Sequence, residues 1–142
     1  MSTAPPQSAL PSAASVGRSR AVIAGRVVTG IALAFMTLDV TMKLARVSQA
    51  IDSTVQLGFS PDVVLPLGLI QLACLILYVV PRTAPLGAML LTAYLGGAVA
   101  IHVQRGNPVF THMLFPVYIA VLLWGGLYLR DARVRALFAR TR

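Results

Sequence analysis

The chain has few charged residues for its length, and this scarcity excludes a soluble globular fold. Only 11% of its 142 residues are Asp, Glu, Lys or Arg, whereas 57% are hydrophobic. A soluble domain carries roughly 25% charged residues. The 12 basic residues outnumber the 4 acidic residues and give a net charge of +8. Most of the arginines flank apolar segments, as membrane topology requires, so we expect a membrane protein and no nucleic-acid partner.

Cysteine is almost absent, and the short motifs that mark common active sites are missing. The single cysteine, Cys74, lies within an apolar run. It therefore has no partner for an internal disulfide, a CxxC redox motif or a zinc site. The sequence also lacks an HExxH motif, a histidine pair at i, i+4 and a phosphate-binding glycine loop. We identify no catalytic residue, no metal ligand and no evident cofactor, and a non-enzymatic role is favoured.

The chain does contain long apolar segments, and four of them can each cross a membrane. About 20 helical residues span a hydrocarbon core of about 30 Å. The predicted fold is therefore an all-α membrane protein with four transmembrane helices in an antiparallel bundle. The predicted spans are residues 21–45, 61–80, 84–103 and 111–129. Around this domain of residues 21–130, we expect a disordered cytoplasmic tail at 1–20 and a basic cytoplasmic tail at 131–142.

Local signals predict an additional short helix between spans one and two. Residues 46–57 are too polar to cross the membrane. Their apolar residues recur at i, i+4 and i+8, at Val47, Ile51 and Val55. This spacing predicts an amphipathic helix at the membrane surface, and Gly58 is a natural stop for it. The start of span two is predicted by three successive residues: a cap at Ser60, a first-turn proline at Pro61 and a first-turn acid at Asp62.

The arginines predict the orientation of the bundle. They concentrate before span one, between spans two and three, and after span four. The residues at these three places are Arg18, Arg20, Arg26, Arg82, Arg130, Arg133, Arg135, Arg140 and Arg142. An even number of spans places all of them on one side of the membrane. Because cytoplasmic loops carry the excess of Lys and Arg, both termini are expected in the cytoplasm.

Polar side chains within the spans form the candidate ligand-binding site. We expect six of them to make a column from the bundle centre to the non-cytoplasmic surface: Asp39, Lys43, Gln71, Tyr94, His102 and Arg105. Asp39 and Lys43 share one helix face because they are four residues apart. A charge facing lipid near the bilayer centre costs on the order of 3 kcal/mol or more, so Asp39 should face inward and pair. The alternative is a structural ion pair, with His102 as a hydrogen-bonding packing residue.

Small residues in span three predict close helix packing. Ala88, Thr92, Gly96 and Ala100 recur every four residues, a spacing that lets two helix backbones approach each other. Gly125 and Gly126 in span four are the expected counterparts.

Two stretches of the chain closely resemble the DoxX-like family of small membrane proteins. They are YVVPRTAPLGAMLLTAYLGGAVAIHVQRGNP, from Tyr78 to Pro108, and HMLFPVYIAVLLWGGLYLRD, from His112 to Asp131. The DVTMKL run in span one fits the first helix of the family. The resemblance covers about residues 26–135 and implies a multi-pass four-helix bundle in the bacterial cytoplasmic (inner) membrane.

The resemblance also implies a class of function. The founding name of the family comes from a subunit associated with a terminal quinol oxidase, and relatives have been linked to thiol or oxidative-stress systems. It thus implies an accessory subunit of a quinone-linked or thiol-redox membrane system, within a larger complex or a homo-oligomer. The alternative is a small membrane binding or transport protein that uses the polar column for a lipid-soluble or anionic ligand. Family members often carry a glutamate where this chain has Gln71, so a proton-coupled mechanism that used this carboxylate in span two is not expected here, although glutamine can still hydrogen-bond a carbonyl ligand or another helix.

Overall fold

The computed structural model of the protein describes residues 13–139, which form helices and the turns between them. The six α-helices are α1 (Ala13–Leu44), α2 (Ser48–Gln56), α3 (Val64–Val79), α4 (Ala84–Gln104), α5 (Phe115–Arg130) and α6 (Ala132–Ala139). A 3₁₀ turn at Pro61–Val63 leads into α3, and a π-helical turn at Val109–Met113 leads into α5.

The predicted four-span bundle is confirmed. Four helical segments are long and apolar enough to cross a membrane: Ser19–Leu44, Pro61–Val79, Ala84–Gln104 and Val109–Arg130. α1 packs against α3 and α5, and α4 packs against the same two helices. The spans therefore form a ring in which each helix has two principal neighbours, and short connections make consecutive spans antiparallel.

The structure differs from the sequence analysis at the start of α1. This helix already includes residues 13–20, which we had assigned to a disordered tail. All three prolines of that tail precede residue 13. Alanine and arginine, which are good helix formers, then extend a helix that the first span has already nucleated. Residues 1–12 lie outside the described residues, as do residues 140–142 of the second predicted tail, of which residues 132–139 form α6.

The short amphipathic helix and its stop signal are confirmed. α2 buries Ala50 and Thr54, while Val55 remains exposed beside them. Gly58 has a φ of +93°, a backbone conformation that glycine adopts without strain. The hydroxyl of Ser60 accepts a hydrogen bond from the backbone N–H of Asp62 at 3.4 Å. The serine cap therefore starts the second span as the sequence indicates.

The predicted packing stripe on α4 is only partly correct. Ala88 is buried, but Gly96 and Ala100 are exposed, and a Cβ added to Gly96 would meet no atom within 4 Å. The close approach of α4 occurs instead at Gly87, where an added Cβ would overlap the backbone of Tyr78 in α3. A four-residue spacing of small side chains fits more than one helix face, and the structure uses the face that includes Gly87.

The glycine pair in α5 meets a different partner from the one predicted. A Cβ on Gly126 would lie 3.0 Å from the backbone nitrogen of Thr29 in α1. A Cβ on Gly25 would lie 2.9 Å from the carbonyl oxygen of Gly126. Gly125 has no atom within 4 Å of its Cβ position. Gly25 and Gly126 therefore bring α1 and α5 together, whereas we had expected α5 to approach α4 in this way.

Candidate functional site

The structure brings four of the six predicted site residues together at the junction of three spans. Asp39 and Lys43 lie on α1, Gln71 on α3 and Tyr94 on α4. The Lys43 ammonium donates hydrogen bonds to Asp39 Oδ2 at 2.5 Å, to Gln71 Oε1 at 2.9 Å and to the Tyr94 hydroxyl at 3.2 Å. We call these four residues the polar cluster.

Gln71 is the centre of the polar cluster and its only fully buried member. Its side chain has no exposed surface. The amide nitrogen donates to Asp39 Oδ2 at 2.8 Å and to the Met36 carbonyl at 3.3 Å, while the amide oxygen accepts from Lys43. Glutamine offers both a donor and an acceptor, so it can bond the acid and the base at once. Gln71 thereby joins α3 to both charged residues of α1.

Lys43 has no donor left for a ligand in this arrangement. A lysine ammonium carries three N–H donors, and the polar cluster uses all three. The lysine side chain is only 16% exposed, and its ammonium also lies 5.5 Å from the centroid of the Tyr94 ring. A ligand could bond Lys43 only by displacing one of its three partners.

Asp39 pairs as expected but does not lie wholly inside the bundle. Its side chain is 51% exposed, although it lies about 8 Å inside the end of α1 at about 1.5 Å per residue. Both of its hydrogen bonds within the described chain are made by Oδ2. The second carboxylate oxygen, Oδ1, is therefore the acceptor of the polar cluster that remains open to a donor from outside.

Arg105 lies apart from the polar cluster and joins the end of α4 to the end of α2. Its Nε donates to the carbonyl oxygen of Leu57 at 2.9 Å, which satisfies one of the free carbonyls that every helix end carries. Its guanidinium also fills the space that a side chain at Gly58 would occupy. These contacts give Arg105 a capping role that the sequence analysis did not anticipate.

His102 also lies apart from the polar cluster, among the polar residues of the turn before α5. Its Nδ1 accepts a hydrogen bond from the Asn107 amide at 2.8 Å. Its ring contacts that of His112 edge to face, with centroids 5.8 Å apart. The predicted column thus divides into the polar cluster and a separate group at the end of the bundle. Within residues 13–139, no three His, Cys, Asp or Glu side chains are arranged to hold a metal ion.

Two aromatic side chains make interhelical hydrogen bonds that sequence reasoning missed. The buried Tyr78 hydroxyl donates to the Leu123 carbonyl at 2.7 Å, linking α3 to α5. The Trp124 indole donates to the Thr92 hydroxyl at 2.9 Å, linking α5 to α4. The sequence could have indicated both bonds, because a tyrosine or tryptophan within an apolar run needs a partner for its polar atom.

A comparison with family models agrees with the bundle described above. The model of the DoxX-like family matches residues 27–126. That range includes all four members of the polar cluster. Comparisons with curated proteins and with solved structures give no match.

Proposed function

This chain belongs to the DoxX-like family of membrane proteins, and on that basis we propose that it is an accessory subunit of a quinone-linked or thiol-redox membrane system. The observation that carries the proposal is the closure of the polar cluster. Its amide and ammonium donors already bond acceptors within the chain, namely Asp39 Oδ2, the Gln71 amide oxygen, the Tyr94 hydroxyl and the Met36 carbonyl. What the cluster offers to a partner is an acceptor, the second carboxylate oxygen of Asp39, Oδ1.

The open oxygen of Asp39 supports an interaction with another membrane subunit. A half-exposed carboxylate within a span is costly in lipid, on the order of 3 kcal/mol at the bilayer centre and less toward the surface. A Ser, Asn, Gln or Trp donor on a partner helix would satisfy Oδ1 and reduce this cost, and such side chains do hydrogen-bond across membrane helices. Phe35, one turn before Asp39, is 50% exposed and would add apolar contact area to the same surface.

The proposed setting is a bacterial cytoplasmic membrane with both termini in the cytoplasm. Arginines at the start of α1, in the turn after α3 and in α6 support this orientation. In it, the polar cluster lies in the outer half of the membrane, and Arg26 and Arg130 lie toward the inner surface. The lipid bilayer is then one partner, and a larger redox complex or a homo-oligomer is the other.

A second candidate function is the binding of a small lipid-soluble or anionic ligand. One observation favours a lipid-soluble ligand with a hydroxyl group, such as a quinol. Asp39 Oδ1 is an acceptor, the Asp39 side chain is half-exposed, and the residue lies within a span. An anionic ligand fits less well, because the cation of the polar cluster is already fully bonded.

Co-purification of two variants tests the accessory role. Asp39→Asn keeps the shape of the side chain but removes its charge, and Asp52→Asn makes the same change at an exposed position on α2. Each variant is extracted from its own membrane in a mild detergent and compared with the wild type. We expect the wild type and Asp52→Asn to retain a partner that carries a haem, a flavin or a redox-active cysteine pair. Asp39→Asn should lose it.

The two candidate functions predict different results in this experiment. If Asp39→Asn keeps the partner, Asp39 is not the contact and the accessory proposal loses its support. If the wild type purifies as a single chain with a bound quinol, and Asp39→Asn lacks that quinol, the ligand-binding function is correct. Circular dichroism and a melting curve establish that the variants are folded before either result is interpreted.

A further inference from the structure

A cavity lies at the end of the bundle opposite the polar cluster. It has a volume of about 220 Å³, well above the roughly 10–15 Å³ that admits one water molecule. Its walls come from α1, from the turn between α3 and α4, and from the junction of α5 and α6. The lining residues that bear charge are Arg26, Arg130 and Asp131.

Arg130 lines this cavity and also carries two buried nitrogen atoms, Nε and Nη2, without a hydrogen-bond partner among the described residues. The guanidinium stacks over the ring of Tyr78, with its central carbon 5.3 Å from the ring centroid. That contact holds the guanidinium in place but satisfies none of its N–H groups. Buried donors without partners are rare, because each loses its hydration without compensation.

The remaining charges around the cavity leave it positive. Asp131 is paired with Arg133, whose Nη2 lies 2.9 Å from Asp131 Oδ2. The side-chain hydrogen bond from Arg133 holds the pKa of Asp131 below its usual value, so the carboxylate is ionised and already neutralised. Arg135 bonds backbone carbonyls of α5 instead. Arg26, by contrast, is exposed and forms no ion pair with any residue between 13 and 139. Asp131 also attracts Arg130 electrostatically, but Arg26 and Arg130 outnumber this one carboxylate of the lining, so the cavity carries a net positive charge.

We propose that this cavity binds a phosphate group through Arg26 and Arg130. Two guanidinium groups from neighbouring helices match a tetrahedral anion, because each presents a planar set of donors that can bond two oxygens. The cavity lies where the spans end: Arg130 is the last residue of its span, and Asp131 and Ala132 follow it. This depth corresponds to the headgroup layer, in which the phosphates of membrane lipids lie. The same chemistry would accept free phosphate.

Titration of the full-length protein with an anionic lipid tests this site. The protein is purified in a neutral detergent, and bound phosphatidylglycerol is counted by native mass spectrometry at increasing lipid concentrations. Arg26→Gln removes one proposed contact. Arg82→Gln is the matched control, because Arg82 is an exposed arginine at the same end of the bundle that does not line the cavity. Arg26→Lys keeps the charge at the site.

We expect Arg26→Gln to raise the lipid concentration at half-saturation by about tenfold, as for the loss of one charge-assisted hydrogen bond. Arg82→Gln should change it less than about twofold, and Arg26→Lys should lie between the two. Equal binding by Arg26→Gln and the wild type would overturn the proposal. An equal loss in Arg82→Gln would also overturn it, since binding would then depend on overall charge alone.

A competition arm identifies the source of the phosphate group. Inorganic phosphate is added at millimolar concentration to the protein with phosphatidylglycerol bound. Displacement of the lipid in the wild type would show that free phosphate fills the same site. Retention of the lipid, together with the Arg26→Gln defect, would assign the site to a lipid headgroup. Unchanged melting temperatures of the lipid-free variants establish that a loss of binding does not reflect unfolding.

Discussion

Replacement of Gln71 by leucine tests whether the polar cluster stabilises the bundle. The glutamine is fully buried and makes three hydrogen bonds, to Lys43 at 2.9 Å, to Asp39 at 2.8 Å and to the Met36 carbonyl at 3.3 Å. Leucine has a similar volume but neither a donor nor an acceptor. The variant therefore removes the link from α3 to α1 without opening a large cavity.

The expected loss of stability follows from these three bonds. A hydrogen bond to a charged group contributes about 1.5–3 kcal/mol in soluble proteins, but interhelical bonds within membranes average only about 0.6 kcal/mol. In the variant Asp39 and Lys43 still pair with each other, so neither charge is left without a partner. The membrane average of about 0.6 kcal/mol per hydrogen bond therefore applies. Three bonds then give a decrease in the free energy of unfolding of about 2 kcal/mol, or roughly 30-fold in the folding equilibrium.

Reversible unfolding in mixed micelles of a mild detergent and dodecyl sulfate measures this change, with helix content followed by circular dichroism. Gln104→Leu is the control, because Gln104 is exposed at the end of α4, and we expect a change within about 0.5 kcal/mol. A Gln71→Leu variant as stable as the wild type, or more stable, would refute the idea that the polar cluster stabilises the bundle.

Four further variants test contacts elsewhere in the structure. Gly87→Ala should lower the free energy of unfolding by about 1–3 kcal/mol, because its Cβ overlaps the backbone of α3. Gly96→Ala should instead be neutral or stabilising, and equal effects in the same unfolding assay would contradict this packing. Tyr78→Phe should cost about 1 kcal/mol through the lost bond to α5, and an unchanged midpoint would count against it. Asp131→Asn should destabilise at pH 7, and this effect should decrease as the pH falls below about 3.9. Arg133 holds the pKa of Asp131 below its usual value, so the stabilisation is complete above the unfolded pKa of about 3.9 and is lost as the pH falls through the lower, folded value. A difference in melting temperature that does not vary with pH would contradict it.

The positions of the spans could be predicted because they depend on signals that act locally. The length of each apolar segment determines where the chain can cross the membrane. Helix ends are marked by Ser60, Pro61 and Gly58 through cap and turn chemistry that needs no tertiary contact. Asp39, Lys43 and Gln71, which we had placed in one polar column, do contact one another. Within a span, a charged residue has few favourable places, so the pattern of polar residues indicates which helix faces meet.

The rotation of each helix about its axis could not be predicted in the same way. α4 is apolar around its whole circumference, so hydropathy does not distinguish the face with Gly87 from the face with Gly96. The structure places Arg105 outside the polar cluster for a related reason. A long flexible side chain at a helix end can bond a free carbonyl of another helix end, and here that carbonyl belongs to Leu57.

The central claim is that this DoxX-like protein acts as a subunit beside a larger redox protein. Native mass spectrometry of the wild-type protein, released gently from its own membrane, tests that claim most directly. We expect an additional protein mass that carries a haem, a flavin or a redox-active cysteine pair. A solitary chain or a homodimer without such a partner would contradict it.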